Sequence, residues 1–154
     1  MAATRRRILI GVASFGLAAL GAAAAWLFVD RPEMHGGVAD DTAQLALGAV
    51  VYAEYCAACH GADLEGEPDW RQRRADGTLP APPHDASGHT WHHSDEVLVA
   101  IIRHGVEPFA QPGYRSTMPA FAGTLDDTEI EAVLAYIKSQ WPPEIRRRQE
   151  RLNR

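Results

Sequence analysis

Between Gly61 and His93 the chain carries Gly61, Gly66, Pro68, Gly77, Pro80, Pro82, Pro83 and Gly88. Proline locks φ and removes a backbone donor, and glycine pays a high entropic cost inside a regular element, so this stretch forbids any long helix or strand. Helices must form on either side of an extended loop. Upstream, Asp40, Asp41 and Thr42 offer cap and first-turn residues, while Leu45, Val50 or Val51, and Tyr52 give an irregular apolar face, which predicts a helix over about 42–57. Downstream, Ser94 caps a helix with Asp95 and Glu96 in its first turn, an apolar run of Val97, Leu98, Val99, Ile101 and Ile102, and a stop at Gly105. A second loop runs to Gly123. Asp126 and Glu129 then form an acidic analogue of a capping box, Ile130, Val133, Leu134 and Ile137 fall on one helical face, and Pro142 and Pro143 end the helix. No alternating strand pattern of useful length and no internal repeat occurs. The expected fold class is all-α, with three main helices and long loops.

Such a domain, of about 110 residues, buries little apolar surface, and small domains are marginal without further support. Something other than side chains has to fill the core. The full length of 154 residues leaves room for one domain with appendages. Ile8 to Val29 is a run of 22 apolar or small residues, long enough to cross a hydrocarbon core of about 30 Å. Arg5, Arg6 and Arg7 precede it, and Asp30, Arg31 and Glu33 follow, so the positive-inside bias exports everything after the run. A cleaved signal is the competing reading, with small residues at Ala22 to Ala25; the length of the run, continuing through Trp26 to Val29, favours an uncleaved anchor. The resulting organisation is a basic cytoplasmic segment 1–7, an anchor 8–29, a linker 30–39, a domain 40–143 and a basic tail 144–154 read as a solvated extension. A docking arm for an acidic partner or anionic lipid is the minority reading of that tail. Residues 30–143 hold 18 acidic against 7 basic side chains, a balance of −11. That sign excludes nucleic acid as a partner.

The two cysteines lie in Cys56-Ala57-Ala58-Cys59-His60, a C-x-x-C-H sequence and the attachment signal of c-type haem. Two thiols at a helix end can each form a thioether to a haem vinyl, and the next histidine can place its imidazole over the iron. A thioredoxin-like pair wants the motif at the start of a helix, whereas here it ends one. Zinc needs two further soft ligands, and there is no other cysteine. Of the three methionines, Met1 precedes the apolar run and Met34 lies in the linker, which leaves Met118 in Ser116-Thr117-Met118-Pro119-Ala120-Phe121. A loop returning across the haem would set its sulfur opposite His60, a ligation that raises the reduction potential and leaves neither axial position open. The plain alternative for a lone methionine is gap-filling in a core.

With these residues in place, the chain resembles the class I cytochromes c over about residues 40–141, and more specifically the membrane-anchored bacterial monohaem type. Gly48 and Tyr52 precede Cys56 by eight and four residues, where the family has a glycine and an aromatic that let the first helix cross the last one closely. Val133 and Tyr136 match the apolar and aromatic residues of the last helix at that crossing. The Met-Pro-x-Phe segment and the start of the last helix at Leu125 also match. The resemblance implies a proline whose carbonyl accepts the N–H of the proximal imidazole; Pro82 fits best, with Pro83 as the alternative. Two positions depart from the pattern. The loop from Gly61 to Pro80 is longer than in the compact mitochondrial type, and His84 stands where a haem-packing leucine is usual.

The resemblance implies one covalent haem c bound by Cys56, Cys59, His60, Met118 and Pro82, with His60 and Met118 on the iron. It implies one-electron transfer in a respiratory chain, between a cytochrome bc complex and a terminal oxidase. The site would face the periplasm from a single-pass anchor in the inner membrane. The alternatives are a dedicated cytochrome subunit of a periplasmic dehydrogenase, reductase or oxidase, and a haem gas sensor. No constellation of catalytic acid, base or nucleophile is present. His84, His89, His92 and His93 form a cluster that can be read as a second metal site or as a polar loop, and with His104 they are rival candidates for the sixth ligand. Trp70, with Arg71, and Trp91 are either donors to haem propionates or loop anchors.

Overall fold

The computed structural model describes residues 38–154, and every element in them is helical. Helix α1, Val38–Val51, runs without a break into a π-helical turn, Tyr52–Cys56, and a short helix α2, Ala57–His60. A π turn winds an extra residue into the helix and shifts the face that follows, which suits the irregular apolar spacing ahead of Tyr52. Within the described residues the first helical run begins at Val38, before the expected start at about 42, and extends to His60, beyond the expected end at 57. After the long loop and a 3₁₀ turn, Thr90–His92, helix α3 spans Asp95–His104. A second 3₁₀ turn, Glu107–Phe109, lies in the loop leading to helix α4, Asp127–Ser139. Both expected caps form: the Ser94 side chain accepts from the Val97 N–H, and Asp126 and Glu129 complete a reciprocal capping box.

Helices α1 and α4 make the most extensive helix pair. They can do so because of Gly48, where an added Cβ would run into the Ala132 carbonyl and come within 2.8 Å of the Tyr136 Cβ. Val51, Tyr52, Leu64, Phe121, Leu125, Ile130, Val133, Ile137 and Trp141 form the core around this crossing.

The expectation of three main helices is corrected to four. Helix α5, Pro143–Glu150, followed by a 3₁₀ turn, Arg151–Asn153, occupies the tail that the sequence suggested was a solvated extension. Proline breaks a helix in its interior but is pre-organised for the first helical position, so Pro143 starts α5. Ile145 packs on the core, and Gln149 is wholly buried. The expected basic segment 1–7, anchor 8–29 and most of the linker lie outside the described residues. Among the described residues no helix is long and apolar enough to cross a membrane.

Candidate functional site

The π turn and α2 deliver Cys56, Cys59 and His60 at the C-terminal end of the first helical run. Both cysteines are free; Cys56 is partly buried and Cys59 exposed. Burial and the neighbouring Cys59 push the Cys56 thiol up to about 11. That is the opposite of the depressed thiol a disulfide oxidoreductase uses, and the motif sits at a helix C-terminus, so neither condition for thioredoxin-like chemistry is met. The Tyr52 hydroxyl donates to the Gly61 carbonyl at 2.9 Å, tying the end of α2 back to the preceding turn.

His60 is buried, and its ring Nδ1 lies 2.8 Å from the Pro82 carbonyl oxygen. A carbonyl only accepts, so Nδ1 carries the proton and Nε2 keeps its lone pair. Burial lowers the pKa of His60, against the opposing pull of the Pro82 carbonyl and Glu67, and keeps that lone pair available. Of the two prolines left open by the sequence, the geometry selects Pro82.

Pro82 is positioned by a small non-helical pairing. The N–H groups of His84 and Asp85 both donate to the Leu64 carbonyl, at 2.8 and 3.2 Å. The Glu67 N–H donates to the Ala81 carbonyl at 2.9 Å, and the Glu67 carboxylate accepts the Ala81 N–H at 2.6 Å and a 2.6 Å bond from Arg74. Gly66, at φ +71, allows the strands of loop to touch, since a Cβ there would lie 2.5 Å from the Pro83 nitrogen. Leu64 itself holds a positive φ of 65°, kept there by a side chain that is 4% exposed and by the two bonds to its carbonyl.

Met118 lies on the loop between α3 and α4. Its N–H donates to the Ser116 hydroxyl at 3.1 Å, and the chain then runs along the end of α3, with Phe121 and Ala122 donating to the Ile102 and Arg103 carbonyls at 3.1 Å each. The Met118 side chain is partly buried against the same core that Cys56 and Ala57 contact. The structure thus joins His60 and Pro82 directly, and brings Met118 to the core that Cys56 also packs against.

The loop histidines separate by role. His84 stacks on His60, ring centroids 3.8 Å apart and 22° from parallel. Burial holds its pKa well below the usual value, and the neighbouring His60 and His89 reinforce this. His89 stacks on Trp70 at 5.3 Å, and the Arg71 guanidinium lies over the Trp70 ring, 4.0 Å from its centroid. Among the described residues no group of three or more His, Cys, Asp or Glu converges to hold a metal ion. The Trp91 N–H donates to the Ala86 carbonyl at 3.3 Å and Arg148 lies over its ring, which makes Trp91 a loop anchor. Sequence reasoning missed Trp141, whose N–H donates to the His84 carbonyl at 2.7 Å, and Gln149; a lone tryptophan between a helix end and two prolines was the available signal.

The donor set fits a covalently held haem: two free thiols spaced by two residues, and one imidazole with its proton fixed on the far nitrogen.

Residues 43–137 match the family described as cytochrome c oxidase, cbb3-type, subunit III. Among curated proteins, the cbb3-type cytochrome c oxidase subunit FixP of Bradyrhizobium sp. (strain ORS 278) is 33% identical over 96 residues, covering 61% of this chain and 27% of its own length. Cytochrome c6 of Synechococcus elongatus is 32% identical over 100 residues, 64% of this chain and 92% of that protein. Cytochrome c6 of Tetradesmus obliquus is 34% identical over 112 residues, with 64% and 93% covered. The chain therefore spans about a quarter of FixP and nearly all of the cytochromes c6. No solved structure matched the chain.

Proposed function

Since the chain belongs to the family described as cytochrome c oxidase, cbb3-type, subunit III, and is a monohaem cytochrome c domain that carries electrons, we propose that Cys56, Cys59, His60 and Met118 hold its haem. In this reading the two thiols would hold the haem covalently, and His60 Nε2 and the Met118 sulfur would be the protein ligands of its iron. When bound, the haem supplies one-electron exchange between ferrous and ferric iron. The chain supplies the rest. Pro82 holds the His60 proton on Nδ1, so that Nε2 keeps its lone pair. The loop bonds at Ser116, Ile102 and Arg103 present the Met118 sulfur, a soft donor that favours the ferrous state and blocks small molecules from the iron. The observation that carries the reading is the 2.8 Å contact from His60 Nδ1 to the Pro82 carbonyl, in a histidine directly following two free cysteines.

The finer reading places the domain on the periplasmic face of the inner membrane, tethered by residues 8–29 and linked through 30–39, with electrons passing between a cytochrome bc complex and a terminal oxidase. The apolar run with arginines before it supports the tether. Similarity to FixP, named as an oxidase subunit, supports a second reading in which this domain serves one oxidase complex as a dedicated subunit. A carrier exchanges electrons with more than one partner, whereas a subunit copurifies with one.

Covalent attachment is the direct test. Haem should remain with the denatured wild-type chain on extraction with acidified organic solvent, and Cys56→Ala or Cys59→Ala should lose stable holoprotein. Haem that leaves the wild-type chain in the solvent would overturn the proposal.

A further inference from the structure

The His60–His84 stack has a consequence for the site beyond filling space. The Nδ1 bond to Pro82 fixes one corner of the His60 ring but leaves the plane free to rock about that bond. The parallel face of His84, 3.8 Å away, blocks the rocking. His84 is itself fixed on several sides: its N–H donates to the Leu64 carbonyl at 2.8 Å, its carbonyl accepts from Trp141 at 2.7 Å, and its ring meets the Tyr52 ring at 6.1 Å, edge to face. Its Nδ1 is fully buried and has no hydrogen-bond partner. A buried polar atom without a partner is costly, and an aliphatic side chain would fill the same space free of that cost. What the imidazole offers in return is a flat face against His60.

We propose that His84 is a positioning residue that sets the plane of the His60 imidazole. The inference rests on the reading that His60 binds the iron. In ferric low-spin haem the orientations of both iron ligands direct the unpaired spin over the macrocycle, so with the second ligand unchanged a turn of the imidazole plane is read in the hyperfine-shifted resonances of the haem methyls.

The experiment is proton NMR of the ferric holoprotein, comparing wild type with His84→Leu and His84→Ile, which remove the flat face, and His84→Phe and His84→Tyr, which restore one. Thermal melts select the member of each pair that keeps the fold. The expected result is a changed order or spread of methyl shifts in the aliphatic variant and a wild-type pattern in the aromatic one. An aliphatic variant with unchanged shifts would overturn the proposal, as would an aromatic variant displaced as far as the aliphatic one. Hyperfine-shifted His60 ring protons in the wild type separate the two failures. Their absence would remove His60 from the iron, and the proposal with it; their presence with unmoved methyls would remove the positioning role alone.

Discussion

At the scale of single residues, the most exacting position is Gly48. Any side chain there meets the Ala132 carbonyl and the Tyr136 Cβ, which are backbone and near-backbone atoms that cannot swing aside. Forcing extra volume into a close crossing costs typically about 1–3 kcal/mol, and this crossing carries the core. Gly48→Val should therefore lower stability by at least about 2 kcal/mol in denaturant titration, near the upper part of that range. A loss below about 0.5 kcal/mol, the size of an ordinary surface change, would mean that the helices can part without cost. Several of these residues were legible in the sequence because their meaning is local: the cysteines and His60 are contiguous, and Gly48 and Tyr52 stand at fixed distances before them. The stack of His84 on His60 was not legible, because it depends on a loop folding back across 24 residues of chain and on Trp141, 57 residues further on.

Among the elements, α3 and α4 announced themselves through their caps, and Ser94, Asp126 and Glu129 behave as their positions predict. The π turn and α5 did not. Periodicity cannot show where a helix will wind in an extra residue, and two consecutive prolines read as a stop even though the second is well suited to begin a helix. Helix α5 is tied in through Asp95, whose carboxylate accepts from Lys138 at 2.6 and 2.8 Å and from Gln149 at 2.6 Å, while the Asp95 N–H donates to the Asn153 side chain at 2.8 Å. Gln149 also donates to the His93 carbonyl at 3.2 Å, so the tail clamps both α3 and the loop before it. Partial burial would raise the Asp95 carboxyl, but Lys138, Gln149 and Asn153 outweigh it and hold the pKa below the usual range. Asp95→Ala leaves Lys138 and Gln149 without their acceptor and should cost about 1–3 kcal/mol. The check is denaturant titration beside a chain ending at residue 142: there Asp95→Ala should lose only the part owed to Lys138, less than in the full chain. A full additive loss in the truncated chain would show that the clamp does not run through Asp95.

For the whole molecule, the buried His84 sets a response to pH. His84, which the proposed haem ligation does not use, has a pKa well below the usual value, chiefly through burial. A group whose folded pKa lies below its unfolded one contributes stability that is complete above the unfolded value and is lost as pH falls toward the folded one. Stability should therefore decline as pH drops below about 6.5, by up to about 1.4 kcal/mol per pH unit for each fully differing group. Denaturant titrations at neutral and mildly acidic pH check this, and a midpoint that stays level or rises on acidification would contradict it. The central claim is the proposal that Cys56, Cys59 and His60 at the end of the first helical run and Met118 on a distant loop together hold one haem. Carbon monoxide binding to the ferrous holoprotein, wild type against Met118→Ala, tests that claim most directly. The account predicts a wild type that does not bind the gas and a variant that does; a wild type that binds it, or a variant that stays closed, would contradict Met118 as the ligand opposite His60.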